Sequence, residues 1–164
     1  MFAPFRTRAM QLTRFSDLGL RVLMYLTQQQ ANRPQAVTIA EVATQFAVPH
    51  NHLVKVVNRL RKLGWIEAIR GRKGGLHLAV EANALRLGAV LRELEGHAEL
   101  INCAEPPCTL RGRCLLKGAL NAGMQAFYDK LDQYSLADVC STTTADAISE
   151  MHQQYLVRLV SISS

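Results

Sequence analysis

The sequence predicts a mainly α-helical protein with one small two-stranded sheet. In several stretches of the 164-residue chain, apolar residues recur every three or four positions, which is the period of an amphipathic helix. Residues 65–80 instead alternate apolar and polar side chains and contain three glycines, a pattern typical of a β-hairpin. Hydrophobic residues make up 49% of the chain, which is enough to build a core and excludes wholesale disorder.

Three closely spaced helices are predicted at the start of the chain. The first spans residues 13–30, and the second starts after Thr38, a suitable N-cap residue. A tight turn leads to a third helix, which runs from Pro49, a residue favoured at the first helical position, to about Leu63. Three helices followed by a hairpin form the order of a winged helix-turn-helix.

The positive charge of the chain is concentrated in the third helix and the hairpin. The net charge is +6, and residues 49–75 carry all of it, because they contain seven bases and one acid. Such a segment attracts phosphates and is typical of a protein that binds double-stranded DNA, although a solvated basic face is the simpler alternative. The predicted DNA contacts are Pro49, His50, Asn51, His52, Lys55, Asn58, Arg59 and Lys62 in the helix, with Arg70, Arg72 and Lys73 at the hairpin tip.

A scaffold is predicted after the hairpin. A fourth helix spans residues 85–95 and stops at Gly96, and a longer helix follows a cysteine-bearing loop, over residues 113–133. One face of the longer helix carries Leu116, Leu120, Gly123, Phe127, Leu131 and Tyr134. This long seam has no obvious partner within the chain and predicts a homodimer, the alternative being that the helix folds back on the winged domain. A last helix is expected over residues 144–160.

These elements divide the chain into four parts. We expect a leader over residues 1–9, which could precede the natural start at Met10, and a winged helix-turn-helix domain over residues 10–82. Residues 83–140 hold the cysteine loop and the dimerisation helix, and residues 141–164 form a tail. No apolar run approaches the roughly 18 residues that span a bilayer, and no secretory signal is recognisable, so we predict a cytoplasmic protein. Since no nucleophile–base pair or phosphate-binding loop is recognisable, we predict that it is not an enzyme.

Three of the four cysteines, Cys103, Cys108 and Cys114, lie in one loop with gaps of four and five residues. Disulfides are disfavoured in the reducing compartment where an intracellular DNA-binding protein works. Thiolates suit an iron–sulfur cluster, whereas structural zinc, which usually has four ligands and a two-residue gap, and redox-active or inert thiols are the alternatives. A fourth ligand could come from His97, Glu99, Glu105 or the other subunit. Cys140 is more consistent with a buried apolar side chain.

Four sequence stretches together resemble a known family. They are MQLTRFSDLGLRVLMYL near the start, VPHNHLVKVVNRLRKLGWIEAIRGRKGGLHLA in the basic segment, LRELEGHAELINC with the two later cysteines and LLKGAL, and FYDKLDQYSLADV. Over about residues 10–140 the chain resembles the winged-helix iron–sulfur regulators, a family that includes the nitric-oxide-sensing repressor NsrR and IscR. Its greatest similarity is to the nitric-oxide-sensing members. Relatives of the IscR type have a histidine three residues after the last cysteine, where this chain has Lys117.

The resemblance implies a homodimer in which Cys103, Cys108 and Cys114 hold an iron–sulfur cluster, 4Fe–4S in preference to 2Fe–2S. The fourth ligand is then Asp17 of the opposite subunit, because FSD here matches the F-T-D of the family. The alternative for Asp17 is a carboxylate that stabilises a helix N-terminus.

The function implied is repression of nitric-oxide detoxification genes at a pseudo-palindromic operator. Nitric oxide would act at the cluster and release the DNA. A regulator that senses iron, cluster supply or redox state through the same cysteines is the alternative.

Overall fold

The computed structural model describes residues 11–29, 35–69, 71, 74–96 and 100–162. Within these ranges the chain forms seven α-helices and one antiparallel two-stranded sheet, which confirms the predicted class. The helices are α1 (Arg14–Thr27), α2 (Ile39–Gln45), α3 (His50–Lys62), α4 (Leu87–Glu95), α5 (Leu115–Leu131), α6 (Leu136–Val139) and α7 (Thr142–Ile162), and the strands are β1 (Ile66–Ile69) and β2 (Gly75–Leu78). The predicted leader lies outside the described residues.

Each of the first two helices begins just after a threonine that caps it, and Thr38 was the predicted cap of the second. The hydroxyl of Thr13 accepts a hydrogen bond from the Ser16 N–H at 3.2 Å, and the hydroxyl of Thr38 accepts one from the Glu41 N–H at 3.1 Å. Pro49 lies just before α3 in an extended conformation, so it takes the N-cap position rather than the first helical position. Gly64, whose φ is 72°, follows the last turn of α3 and lets the chain enter the hairpin.

The core of the winged-helix domain, α1 to β2, lies between α1, α3 and the hairpin. The buried face of α1 includes Val22 and Leu23, both 0% exposed, and α3 buries Leu53, Val56, Val57 and Leu60 against it. Each of these side chains contributes about 1.5–3 kcal/mol on burial. In the hairpin, Ile66 of β1 pairs with Leu78 of β2, and the register places the tip between Ile69 and Gly75.

A second layer joins α4 to the C-terminal half of α5. The Asp132 carboxylate, just after α5, accepts a hydrogen bond from the Ala89 N–H at 2.7 Å. It also forms an ion pair with the Arg92 guanidinium at 2.7 Å. Gly88 allows this close approach, because a Cβ there would overlap the Tyr128 carbonyl and the Asp132 carboxylate. The N-terminal half of α5 is largely exposed, and none of the helix's 17 residues is fully buried. The long helix therefore folds back on its own chain over only half its length.

The C-terminal residues pack back onto the winged-helix domain. Helix α6, which was not predicted, is a single turn that begins with a capping box between Ser135 and Asp138. Hydrogen bonds from the Ser135 backbone and hydroxyl lower the pKa of Asp138. The expected last helix is α7, which is longer than predicted and buries Ile148 in the core. Among the described helices, none is long and apolar enough to cross a membrane.

Candidate nucleic-acid interface and cysteine loop

Helix α3 separates an apolar buried face from a polar exposed one. Its buried side chains recur every three or four residues, so the side chains between them point to solvent. The exposed face carries His50, Asn51, His52, Lys55, Asn58, Arg61 and Lys62. The structure therefore places all but one of the predicted helical contacts on one accessible surface, with Pro49 at its start.

The N-terminus of α3 is suited to an anionic partner. Its first turn contains no acidic residue, and the positive end of the helix dipole favours phosphate. Asn51 and Asn58 can donate to and accept from base edges in the major groove, whereas Lys55 and Lys62 supply point charges for phosphates.

Arg59, the one exception, is half-buried, and its side chain, 42% exposed, pairs with α4. Its guanidinium forms an ion pair with the Glu93 carboxylate at 3.0 Å and also donates to the Glu93 carbonyl at 3.3 Å. The last turn of α4 makes a second such contact, because the Glu95 carboxylate accepts a hydrogen bond from the Thr13 N–H at 2.7 Å. One turn of α4 thus joins the recognition helix to the start of α1.

Arg14 is a basic residue of this surface that the sequence analysis missed. It lines a cavity of about 190 Å³ together with His52 and Lys55, where α1 crosses α3. An arginine in the first turn of a helix is unfavourable with the helix dipole, and this local conflict was the available signal. Three predicted hairpin-tip contacts, Arg70, Arg72 and Lys73, lie outside the described residues.

The three loop cysteines occupy a succession of turns that leads into α5. The Cys108 N–H donates to the Cys103 carbonyl at 3.2 Å, and the Arg111 N–H donates to the Cys108 carbonyl at 3.1 Å. Cys114 is the N-cap residue of α5. Cys103 is buried, Cys114 is half-buried and Cys108 is exposed, and all three are free thiols. The turns therefore hold the three cysteines on one short stretch at the positive end of a helix.

The fit of an iron–sulfur cluster rests on this donor set. Free thiols are soft ligands, and Arg111, Arg113 and the N-terminus of α5 would offset the negative charge of a thiolate-bound cluster. Within the described part of a single chain, no group of three or more His, Cys, Asp or Glu side chains stands close enough to hold a metal ion. The donor types fit, and the loop would have to close around the cluster. Of the alternative ligands, Glu105 is exposed, and His97 and Glu99 lie outside the described residues.

Asp17 lies apart from these cysteines in sequence, in the first turn of α1. Its carboxylate forms an ion pair with Arg21, which lies one helical turn later, and accepts a hydrogen bond from the Arg21 Nε–H at 2.9 Å. The two side chains are 42% and 46% exposed, so this ion pair is weak and the carboxylate is accessible. Asp17 is therefore free to exchange Arg21 for another partner.

Cys140 is 4% exposed and packs in the hydrophobic core, as the sequence analysis predicted. Burial raises the pKa of its thiol, and a hydrogen bond with Thr27 lowers it by less. We therefore expect iodoacetamide at pH 8 to modify Cys140 at least about tenfold more slowly than Cys108 in the metal-free protein. Mass spectrometry of the peptides measures both rates, and equal rates in the native protein, with fast modification of both in urea, would contradict this burial.

Comparison with known proteins agrees with the fold. Residues 12–142 match the model of the Rrf2 family, described as iron-dependent transcriptional regulators. Among similar solved structures is CymR, the global cysteine regulator of B. subtilis, with 22% identity and a TM-score of 0.64 over 80% of this chain and 97% of that chain. The oxidised form of Staphylococcus aureus CymR matches with 25% identity and a TM-score of 0.63 over 82% and 98%. IscR of T. potens matches with 21% identity and a TM-score of 0.63 over 80% and 86%.

The family match covers the winged-helix domain, the cysteine loop and α5, and it ends at the first residue of α7. The exposed basic face of α3 lies within it, as expected for proteins that regulate transcription by binding DNA. The chain therefore belongs to the Rrf2 family of winged-helix transcriptional regulators.

Proposed function

We propose that this protein is a homodimeric, cytoplasmic repressor whose binding to a pseudo-palindromic operator depends on an iron–sulfur cluster and responds to nitric oxide. The observation that carries this proposal is the position of three free thiols, Cys103, Cys108 and Cys114, in one loop that leads directly into α5. The exposed apolar face of the same helix is the proposed dimer contact. A chemical change at the thiols would therefore take place next to the α5 dimer contact, which would set the distance between the two DNA-binding domains.

The three thiolates would hold the cluster, a 4Fe–4S type in preference to a 2Fe–2S type. When bound, the cluster supplies iron atoms that bind nitric oxide. Leu110 and Leu115, which are 61% and 90% exposed, flank the last cysteine and would exclude water from this site once a partner subunit covers them.

Asp17 of the opposite subunit would complete the ligand set. Because a carboxylate is a hard ligand, its bond to iron is weaker than that of a thiolate. When Asp17 is not a ligand, it returns to Arg21, the partner that it has in this structure. This exchange would change how α1 of one subunit lies against the cysteine loop of the other.

The exchange would reach DNA through the spacing of the two recognition helices. A dimer of this kind reads half-sites about 34 Å apart, and both half-sites are contacted only when the two domains are correctly spaced. Contacts at the end of α4, from Thr13 and Arg59 to Glu95 and Glu93, connect α1 and α3 to the segment that precedes the cysteine loop.

A gel-shift titration tests the proposal. Protein purified without oxygen should bind its operator, and addition of nitric oxide should weaken that binding at least about tenfold, which corresponds to the usual size of a coupling energy between sites. The Asp17→Ala variant should remain folded and bind the cluster less stably, and Asp146→Ala, at an exposed carboxylate in α7, is its control. Equal operator affinity of loaded, nitrosylated and metal-free protein would contradict a cluster switch.

A regulator of iron, cluster supply or redox state through the same cysteines is the second candidate. The description of the family as iron-dependent favours this candidate. It predicts that an iron chelator or a mild oxidant releases the operator as fully as nitric oxide does. Release by nitric oxide alone, at concentrations that leave iron supply unchanged, would favour the first candidate.

A further inference from the structure

The first turn of α4 is capped by the residues that follow α5. Arg86, the N-cap residue of α4, makes no side-chain cap hydrogen bond within the described part of the chain. The Asp132 carboxylate instead accepts from the Ala89 N–H at 2.7 Å, and the Tyr134 carbonyl accepts from the Leu87 N–H at 3.0 Å. Two of the backbone donors that every helix start leaves unsatisfied are therefore satisfied by a distant part of the sequence.

Arg92 binds the same carboxylate about one turn further along α4. Its guanidinium forms an ion pair with Asp132 at 2.7 Å and a longer one with Asp129 at 3.3 Å. It also lies over the Tyr128 ring, 5.0 Å from the centroid. The Arg92 and Asp132 side chains are 33% and 32% exposed, so water screens their attraction less than that of a fully exposed pair. Asp132 thus contacts α4 at two points, Ala89 and Arg92, and these contacts form what we call the α4–α5 joint.

Close packing at Gly88 leaves this joint little freedom. A Cβ at Gly88 would overlap the Tyr128 carbonyl and the Asp132 carboxylate, so the two helices are in direct contact there. Of the described elements, α4 is the one on which α5 packs most extensively. Because close-packed surfaces do not deform continuously, a change in the angle between α4 and α5 has to break the contacts of Asp132.

The residue after Arg92 holds the recognition helix. Glu93 forms the ion pair with Arg59 of α3 at 3.0 Å, and Glu95 accepts the hydrogen bond from the Thr13 N–H at the start of α1. Helix α4 therefore lies between the proposed dimerisation helix and the DNA-binding surface, and adjacent residues bind the two. An angle fixed at the joint is passed on to α3 through α4.

The length of α5 makes this angle important for DNA binding. With 17 residues, the helix is about 25 Å long. A rotation of about 10° at the joint therefore moves the far end of α5, where the proposed dimer contact lies, by about 4 Å. This displacement is close to the rise of one base pair, about 3.4 Å along a DNA strand.

We propose that the α4–α5 joint sets the half-site spacing that the dimer accepts, with Asp132 and Arg92 as its positioning residues. They act through the angle between the two helices and not through contacts to bases. A rigid joint concentrates the second DNA-binding domain at one spacing, whereas a loose joint spreads it over several. This role rests on the homodimer proposed above, and it does not depend on the cluster or on nitric oxide.

Duplexes of varied half-site spacing test the joint. Two copies of the half-site that the wild type selects from random-sequence DNA are separated by lengths that differ by one base pair, and gel shifts with protein purified without oxygen give each affinity. The wild type should bind its best spacing at least about tenfold more tightly than the neighbouring ones. Asp132→Ala should bind the best spacing more weakly and the neighbouring spacings more tightly, so that the difference falls below about threefold. Since general destabilisation weakens binding at every spacing, the gain at neighbouring spacings is specific to the joint.

Two further variants and sedimentation complete the test. Arg92→Gln, which leaves the Asp132 cap of α4 intact, should flatten the spacing profile in the same direction, and Gln133→Ala, at an exposed residue beside Asp132, should leave it unchanged. All three variants should sediment as dimers and bind a duplex with one half-site as tightly as the wild type. Wild-type spacing profiles in Asp132→Ala and Arg92→Gln, or an equal loss at every spacing, would overturn the proposal. A monomeric wild type would overturn the proposed homodimer, and this role with it.

Discussion

Replacing Leu116 with aspartate should give a monomer that binds the operator about 100- to 10,000-fold more weakly than the wild type. The reason is that two linked DNA-binding domains gain this factor over one when both half-sites are engaged. Leu116 is 60% exposed in the single chain. It lies on the N-terminal half of α5, which no other described element buries. An aspartate there would bring two buried charges into the proposed dimer contact.

The proposed dimer contact is the exposed apolar face of α5. It consists of Leu115, Leu116, Ala119, Ala122, Ala126 and Phe127. It shares Leu116 and Phe127 with the predicted seam, whereas Leu120 and Leu131 of that seam are half-buried in the single chain. Small residues at successive turns allow two helices to approach closely, while leucine and phenylalanine supply apolar area. A soluble monomer rarely exposes such a face along four turns of one helix.

Asn121→Asp is the matched control for Leu116→Asp. It adds the same charge to the same helix at an exposed position about 140° around the axis. Analytical ultracentrifugation and gel shifts should find Asn121→Asp dimeric and fully active. A dimeric Leu116→Asp variant with normal operator affinity would place the dimer interface elsewhere on the chain.

Replacing Cys108 with alanine should remove the iron–sulfur cluster and abolish the response to nitric oxide. A cluster with three thiolate ligands in one loop has no replacement for the exposed Cys108, since the remaining cysteine of the chain, Cys140, is buried in the core. Iron content and visible absorbance of anaerobically purified protein should fall to the background level, and operator binding should equal that of metal-free wild type.

Cys140→Ala is the control, because it removes a thiol from the core while leaving the loop intact. It should retain iron and the gas response, with a loss of stability of about 1 kcal/mol from the smaller side chain. A Cys108→Ala protein that kept both its iron and its response would contradict the ligand assignment and favour a site built from other residues.

The sequence predicted the winged-helix domain well because each of its helices carries its own signal. Periodic apolar residues identified α1 and α3, and Thr13 and Thr38 cap the helices that follow them. The single turn of α6 was missed because four residues are too few to show a period, although its Ser135–Asp138 capping box was present in the sequence.

The side-chain partners could not be predicted from sequence. Arg59 lies four residues after Lys55 in α3, as expected for a residue that contacts DNA, and only the structure shows that Glu93 lies beside it. Arg92 and Asp132 are far apart in the sequence, and a charged residue on a helix is usually exposed. For the cysteines, spacing predicts the loop and the ligand chemistry, whereas the distance from Asp17 depends on how two chains associate.

The last turn of α4 has a consequence for how such a regulator can diversify. Glu93 and Glu95 bind parts of α3 and α1, and the segment that begins at the cysteine loop follows a few residues later. Under the proposed function, a substitution in this turn would alter operator recognition and the response to the signal together. We would then expect changes of operator specificity to fall on the exposed face of α3 and changes of signal to fall in the cysteine loop, so that each trait can change without the other.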